Sequence, residues 1–111
     1  MEKSLLSKGI VIHISSWKRD NGVEIFSDDL VPGMTLSLEV DYPLNVTSSI
    51  NIEVTENTNV STIISKIADE YRRIYKNPKE YGIWGHRLED LWIEGLALDT
   101  DAKKINLYVG S

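Results

Sequence analysis

The chain has 111 residues, the length of one ordinary domain, which buries roughly two thirds of its unfolded surface and sustains a core without covalent staples. It contains no cysteine, which excludes disulfides, thiolate metal centres and cysteine nucleophiles. A net charge of −5 opposes contact with nucleic acid or an anionic membrane, so neither is expected as a partner.

The first nine residues hold an apolar stretch too short for a secretory signal, and no later run reaches the about 18 apolar residues of a membrane span; a cytoplasmic protein is expected. Residues 10–14 set Ile10, Ile12 and Ile14 against Val11 and His13, the alternation of a strand apolar on both faces. Asn21-Gly22 is a hairpin turn signal, because both residues tolerate positive φ, and Val23–Phe26 reads as a short return strand. Asp28-Asp29 and Pro32-Gly33 mark the next turn. Residues 1–33 thus form an N-terminal extension, a strand or hairpin packed on a domain spanning 34–111, the whole being one cooperative unit.

Within that domain, residues 35–42 alternate, with Leu36, Leu38 and Val40 opposite Ser37, Glu39 and Asp41. Residues 50–55 repeat the pattern with Ile50, Ile52 and Val54, so the two segments predict an antiparallel hairpin with one wet face. The period then becomes helical. Val60, Ile63, Ile64, Ile67, Tyr71, Ile74 and Tyr75 form one stripe of a helix over about 60–76, with Ser61, Thr62, Ser65, Lys66, Asp69, Glu70, Arg72 and Arg73 on the other side. Asn59 or Thr58 caps its start and Asn77-Pro78 ends it. The cluster Arg72, Arg73, Lys76 and Lys79 reads as a solvated helix side and exit loop. Beyond it lie Tyr81–Trp84, a loop from Gly85 to Asp90, and a short strand within 91–98. A polar turn from Asp99 to Lys103 leads to a last strand, where Ile105, Leu107 and Val109 alternate with Asn106 and Tyr108.

The stretch from Ile52 through Asn59 and Val60 to Ile67 resembles, without a gap, the second strand and helix of ubiquitin-like domains. Val54, Val60, Ile63 and Ile67 fall at that family's core positions and Asn59 at its helix cap. The stretch from Ile83 to Asp90, including Leu88-Glu89-Asp90, is similar to its third strand and following loop, and Ile105–Val109 sits where the last strand belongs. The resemblance covers about residues 34–109 and implies an α+β ubiquitin-like β-grasp, a mixed sheet packed on one helix. Residues 1–33 have no counterpart. Conjugated members of the family present a Gly-Gly tail, whereas this sequence ends Tyr108-Val109-Gly110-Ser111, so conjugation is not expected.

No catalytic, cofactor or metal site is expected. His13 lies in an apolar strand and reads as a satisfied structural histidine. His86, with Glu89 and Asp90 nearby, matches no established metal spacing. Asp99 with Asp101, and Asp28 with Asp29, read as turn acids, since the calcium-loop pattern is absent. The serines lack the nucleophile-elbow context, and the glycines are scattered singly rather than in a phosphate-cradling loop.

Ubiquitin-like domains commonly bind through the open sheet face. The resemblance places Ile83 at the exposed apolar position of the third strand and Leu44 in the neighbouring loop. Strand parity turns Tyr108 and Asn106 outward, so Leu44, Ile83 and Tyr108, with Trp84, form the expected partner-binding patch. The expected function is a non-enzymatic protein–protein binding or adaptor module, not conjugated, with a protein partner. The alternatives are a small regulatory or structural subunit docking through residues 1–33, a conjugatable modifier, and a metal-dependent enzyme centred on His86. The oligomeric state is left open, since an exposed edge strand could pair two copies.

Overall fold

The computed structural model describes residues 2–18 and 27–111, and the turn and return strand expected at 21–26 lie outside them. The described strands are β1 (Glu2–Ser4), β2 (Ile12–His13), β3 (Thr35–Val40), β4 (Ser48–Glu53), β5 (Trp92–Asp99) and β6 (Lys104–Gly110). One helix, α1 (Val60–Ile74), lies between β4 and β5 in sequence. The strands form one mixed sheet in the order β1-β5-β6-β3-β4, with β2 also paired to β5; only β3 and β6 run parallel. The described residues are therefore α+β, one α-helix on a six-stranded mixed sheet.

The hairpin follows from alternation. Leu36 faces Ile52 and Leu38 faces Ile50 across the antiparallel β3·β4 ladder, while Leu38 also faces Ile105 on β6. These side chains enter the core, and Ser37, Glu39, Asn51 and Glu53 stay exposed on the opposite face. The helix buries Val60, Ile63, Ile64, Ile67, Ala68, Tyr71 and Ile74. Asn59 caps it, its Oδ1 accepting from the Thr62 amide at 2.9 Å. Ser61 and Glu70, expected on the solvent side, are buried. The buried arc exceeds the apolar stripe because side chains cover both helix flanks: the Arg73 guanidinium pairs with Glu70 beside the groove to β4, and the Trp17 indole N–H donates to Ser65 (3.0 Å) on the other flank.

Further expectations change. Residues 81–84 are not a strand: Pro78–Tyr81 make a 3-10 turn that Gly82 terminates in the left-handed region (φ 67°). A Cβ at Gly82 would come within 2.7 Å of the Asn45 Cβ, so both backbone and packing demand glycine there. The strand at 91–98 is not short; β5 has eight residues and pairs along its length with β6. Its alternation is broken by a bulge at Glu94, between the pairs Ile93·Val109 and Gly95·Tyr108, so Ile93, Leu96 and Leu98 all reach the core.

The extension does not form a strand across 10–14. Only Ile12 and His13 pair, while Ile10 and Val11 are exposed and Ile14 is fully buried. β1, which carries no apolar alternation, adds beside the far end of β5. Leu5, Leu6, Ile12 and Ile14 join the main core, so the described part of the extension is built into the sheet.

Candidate protein-binding surface

The four residues of the expected patch do not share one surface. Ile83 is only 8% exposed and packs in the core, its amide donating to the Pro78 carbonyl (3.1 Å). It lines a cleft near the helix C-terminus with Arg72, Tyr75, Lys76 and His86, and Tyr108 lines a different one. The placement of Ile83 on the open face is thus corrected, because its segment turns before it reaches the sheet. Leu44 is half-buried against the core. Trp84 is 75% exposed between two left-handed glycines, Gly82 and Gly85, next to the anchored Ile83.

Tyr108 does face outward, 51% exposed, on the open face of the sheet. Its ring lies over Gly95, where a Cβ would meet the ring at 3.0 Å; a larger residue on β5 would push the ring off the sheet. Its hydroxyl donates to the Glu2 carboxylate at 3.0 Å, and Asn106 donates to the same oxygen. Glu2 thereby reaches from β1 across the small residues of β5. The bond to Glu2 holds the Tyr108 hydroxyl above the ordinary tyrosine pKa. A ring fixed at both ends is a pre-organised contact with little rotamer entropy left to lose.

Around it the face is acidic. Ser37, Glu39, Asp41, Lys104, Asn106 and Tyr108 line a cleft of about 240 Å³ between β3 and β6. Glu39 and Asp41 make no ion pair with the described residues, and Lys104 is the cleft's one cation. Glu53 extends the charge along β4, and the Glu94 carboxylate lies over Gly110. On α1 and the segment after it, Arg72 pairs with Asp69 (3.1 Å), Arg73 with Glu70, and Arg87 with Asp90 (3.4 Å).

Sequence reasoning missed Glu2, whose three-residue strand carries no periodic signal, and Gly95, whose role depends on the bulge. Its reading of His13 as a satisfied structural histidine holds, while the partners of both histidines were not legible. His13 Nε2 donates to the Glu89 carbonyl (2.5 Å), Nδ1 accepts from Ser16 Oγ (2.6 Å), and the ring meets Trp92 at 4.7 Å. This serine–histidine pair sits in a local turn whose nearby Trp17 amide is bound to the Ile14 carbonyl (3.2 Å) rather than aimed at an oxyanion site. Its effect is to pin the extension to the loop before β5. His86 is half-buried edge-on against Tyr42, at 5.5 Å.

Among the described residues, no three of histidine, aspartate and glutamate are grouped to hold a metal ion, and no helix is long and apolar enough to cross a membrane. Comparison with protein-family models, with curated proteins and with solved structures finds no match to this chain.

Proposed function

We propose that this chain is a non-enzymatic protein-binding module of ubiquitin-like β-grasp architecture that takes a basic partner segment on the open face of its sheet. The β-grasp reading draws support from the run β4-β3-β6-β5, with a parallel pair at its middle and a hairpin–helix–strand chain order. The binding reading rests on one observation: Tyr108, exposed yet held by Glu2 and Gly95, stands beside a cleft whose Glu39 and Asp41 make no ion pair with the described residues. A fixed aromatic beside Glu39 and Asp41 suits a lysine- or arginine-bearing segment, which gains charge complementarity and ring contact together.

Docking through residues 1–33 draws less support, since Leu5, Leu6, Ile12 and Ile14 are committed to the core.

The test is a screen of basic twelve-residue peptides, with binders titrated into 15N-labelled protein. Shifts confined to Glu39, Gly95, Asn106 and Tyr108, with peptides recovered unaltered by mass spectrometry, are the expected result. Shifts at the helix flank instead, or cleavage of the peptides, would overturn it.

A further inference from the structure

The sheet has two edges, and they are treated differently. On the β5 side, β1, β2 and the Leu5 amide (to the Leu96 carbonyl, 2.7 Å) occupy the backbone groups. On the other side β4 is the last strand, with no described strand beyond it. The Ser37 amide donates to the Lys103 carbonyl at 3.1 Å, so its backbone points towards β6 and away from β4. Ser37 is paired with Asn51, which makes theirs the non-hydrogen-bonded kind of antiparallel pair. The N–H and C=O of Asn51 therefore point outward from the sheet, and by alternation so do those of Ser49 and Glu53. All three residues are exposed.

The one charge on β4, Glu53, lies at its end and leaves the rest of this edge open. The strand runs through six consecutive pairs with β3 without a bulge, and it contains neither proline nor lysine, the usual protections of an open edge. Beneath it, a groove of about 390 Å³ separates β4 from α1, lined by Ile50, Lys66, Asp69, Glu70 and Arg73. Ile50 is only half-buried there, although its cross-strand neighbour Leu38 is 1% exposed. A strand added to this edge would set apolar side chains beside Ile50 and polar ones beside Asn51.

The segment Ser49-Ile50-Asn51-Ile52-Glu53 meets that requirement itself, because its polarity pattern is symmetric about Asn51. We propose that β4 pairs antiparallel with β4 of a second copy of this chain, about a two-fold axis through Asn51 and normal to the sheet. Asn51 then faces its own equivalent and Ser49 faces Glu53 twice, each pair exchanging backbone hydrogen bonds. On the helix side Ile50 faces Ile52 of the other copy, which covers the groove floor. The two Glu53 carboxylates lie four residues apart along the paired strands, about 13 Å, beyond the screening length at physiological salt. Both helices fall on one side of a continuous sheet, and Tyr108 stays open, so this pairing is independent of the open-face reading.

One strand pair buries little area, so association is weak and reversible. Sedimentation velocity from about 10 μM to about 1 mM should show the weight-average mass rising towards that of a dimer. Two variants that change net charge equally separate register from bulk repulsion. Asn51→Lys sets like charges face to face on the axis and should weaken pairing at least about tenfold. Ser49→Lys sets a cation opposite Glu53 twice and should tighten it about threefold. Both side chains are exposed in the monomer, and an unchanged amide spectrum at low concentration verifies the fold. A protein that stays monomeric to about 1 mM would overturn the proposal and leave the edge to a strand of a different protein. Equal responses of the two variants would overturn the register.

Discussion

Tyr71 shows how much one side chain contributes that periodicity cannot reveal. Its place on the buried helix stripe was legible from spacing, but its partner was not: the hydroxyl donates to the Tyr42 carbonyl at 2.6 Å, from a residue 29 positions earlier. Burial first, then Asp41, Tyr75 and Tyr42, push its pKa well above the ordinary range. Tyr75 is pushed up to about 12, again chiefly by burial. The folded state therefore keeps protons that the unfolded chain releases near pH 10. Stability from this source is intact below pH 10 and is lost as pH rises towards the folded values, by about 1.4 kcal/mol per pH unit for one fully linked group. Tyr71→Phe should lower stability at pH 7 by about 1 kcal/mol, because the Tyr42 carbonyl loses its donor, and should flatten the decline between pH 10 and 11.5. Urea unfolding across that range measures both, and an unchanged slope would remove Tyr71 as the linked group.

At the scale of elements, the extension has become part of the scaffold. Ile14 is fully buried, its amide donates to the Leu91 carbonyl (3.2 Å), and His13 and Trp17 fasten the segment to the loop before β5 and to α1. Ile14→Ala should therefore cost about 2–5 kcal/mol, as for any core isoleucine, with an unchanged denaturant m-value. A cost below about 1 kcal/mol would make the extension peripheral. The elements that were legible are those whose own side chains carry the pattern: the strands expected over 35–42 and 50–55, which form at 35–40 and 48–53, and the helix expected over about 60–76, which forms at 60–74. The rest depends on tertiary partners. β1 exists because β5 offers it an edge. β5 hides its alternation behind the Glu94 bulge. Ile83 looked like an open-face residue because a ubiquitin-like strand was expected there, and Gly82 with Pro78 turns the chain first. Tyr108 came out on the expected face because β6 pairs with β5 and β3 without changing its own parity.

Across the whole molecule, the excess of acid lies on the open sheet face. Glu2, Glu39, Asp41, Glu53 and Glu94 there stand against Lys104, whereas at the end of α1 and after it Arg72, Arg73 and Arg87 are paired with Asp69, Glu70 and Asp90. A field of this shape orients an incoming basic segment before contact, and salt screens it. The ring of Tyr108 acts only after contact, so the two features divide the kinetics between them. For a basic peptide bound at the open face, Glu39→Lys should lower the association rate about three- to tenfold at low salt and leave dissociation nearly unchanged. Tyr108→Ala should leave association nearly unchanged and speed dissociation about tenfold or more. Lys76→Glu, on the opposite side, should alter neither dissociation nor the bound peptide's spectrum. Stopped-flow fluorescence at about 50 and 300 mM salt resolves the two rates. If Glu39→Lys slows association as much at the higher salt as at the lower, the acids are making a short-range contact and not steering, since the screening length falls from about 14 to about 6 Å over that range.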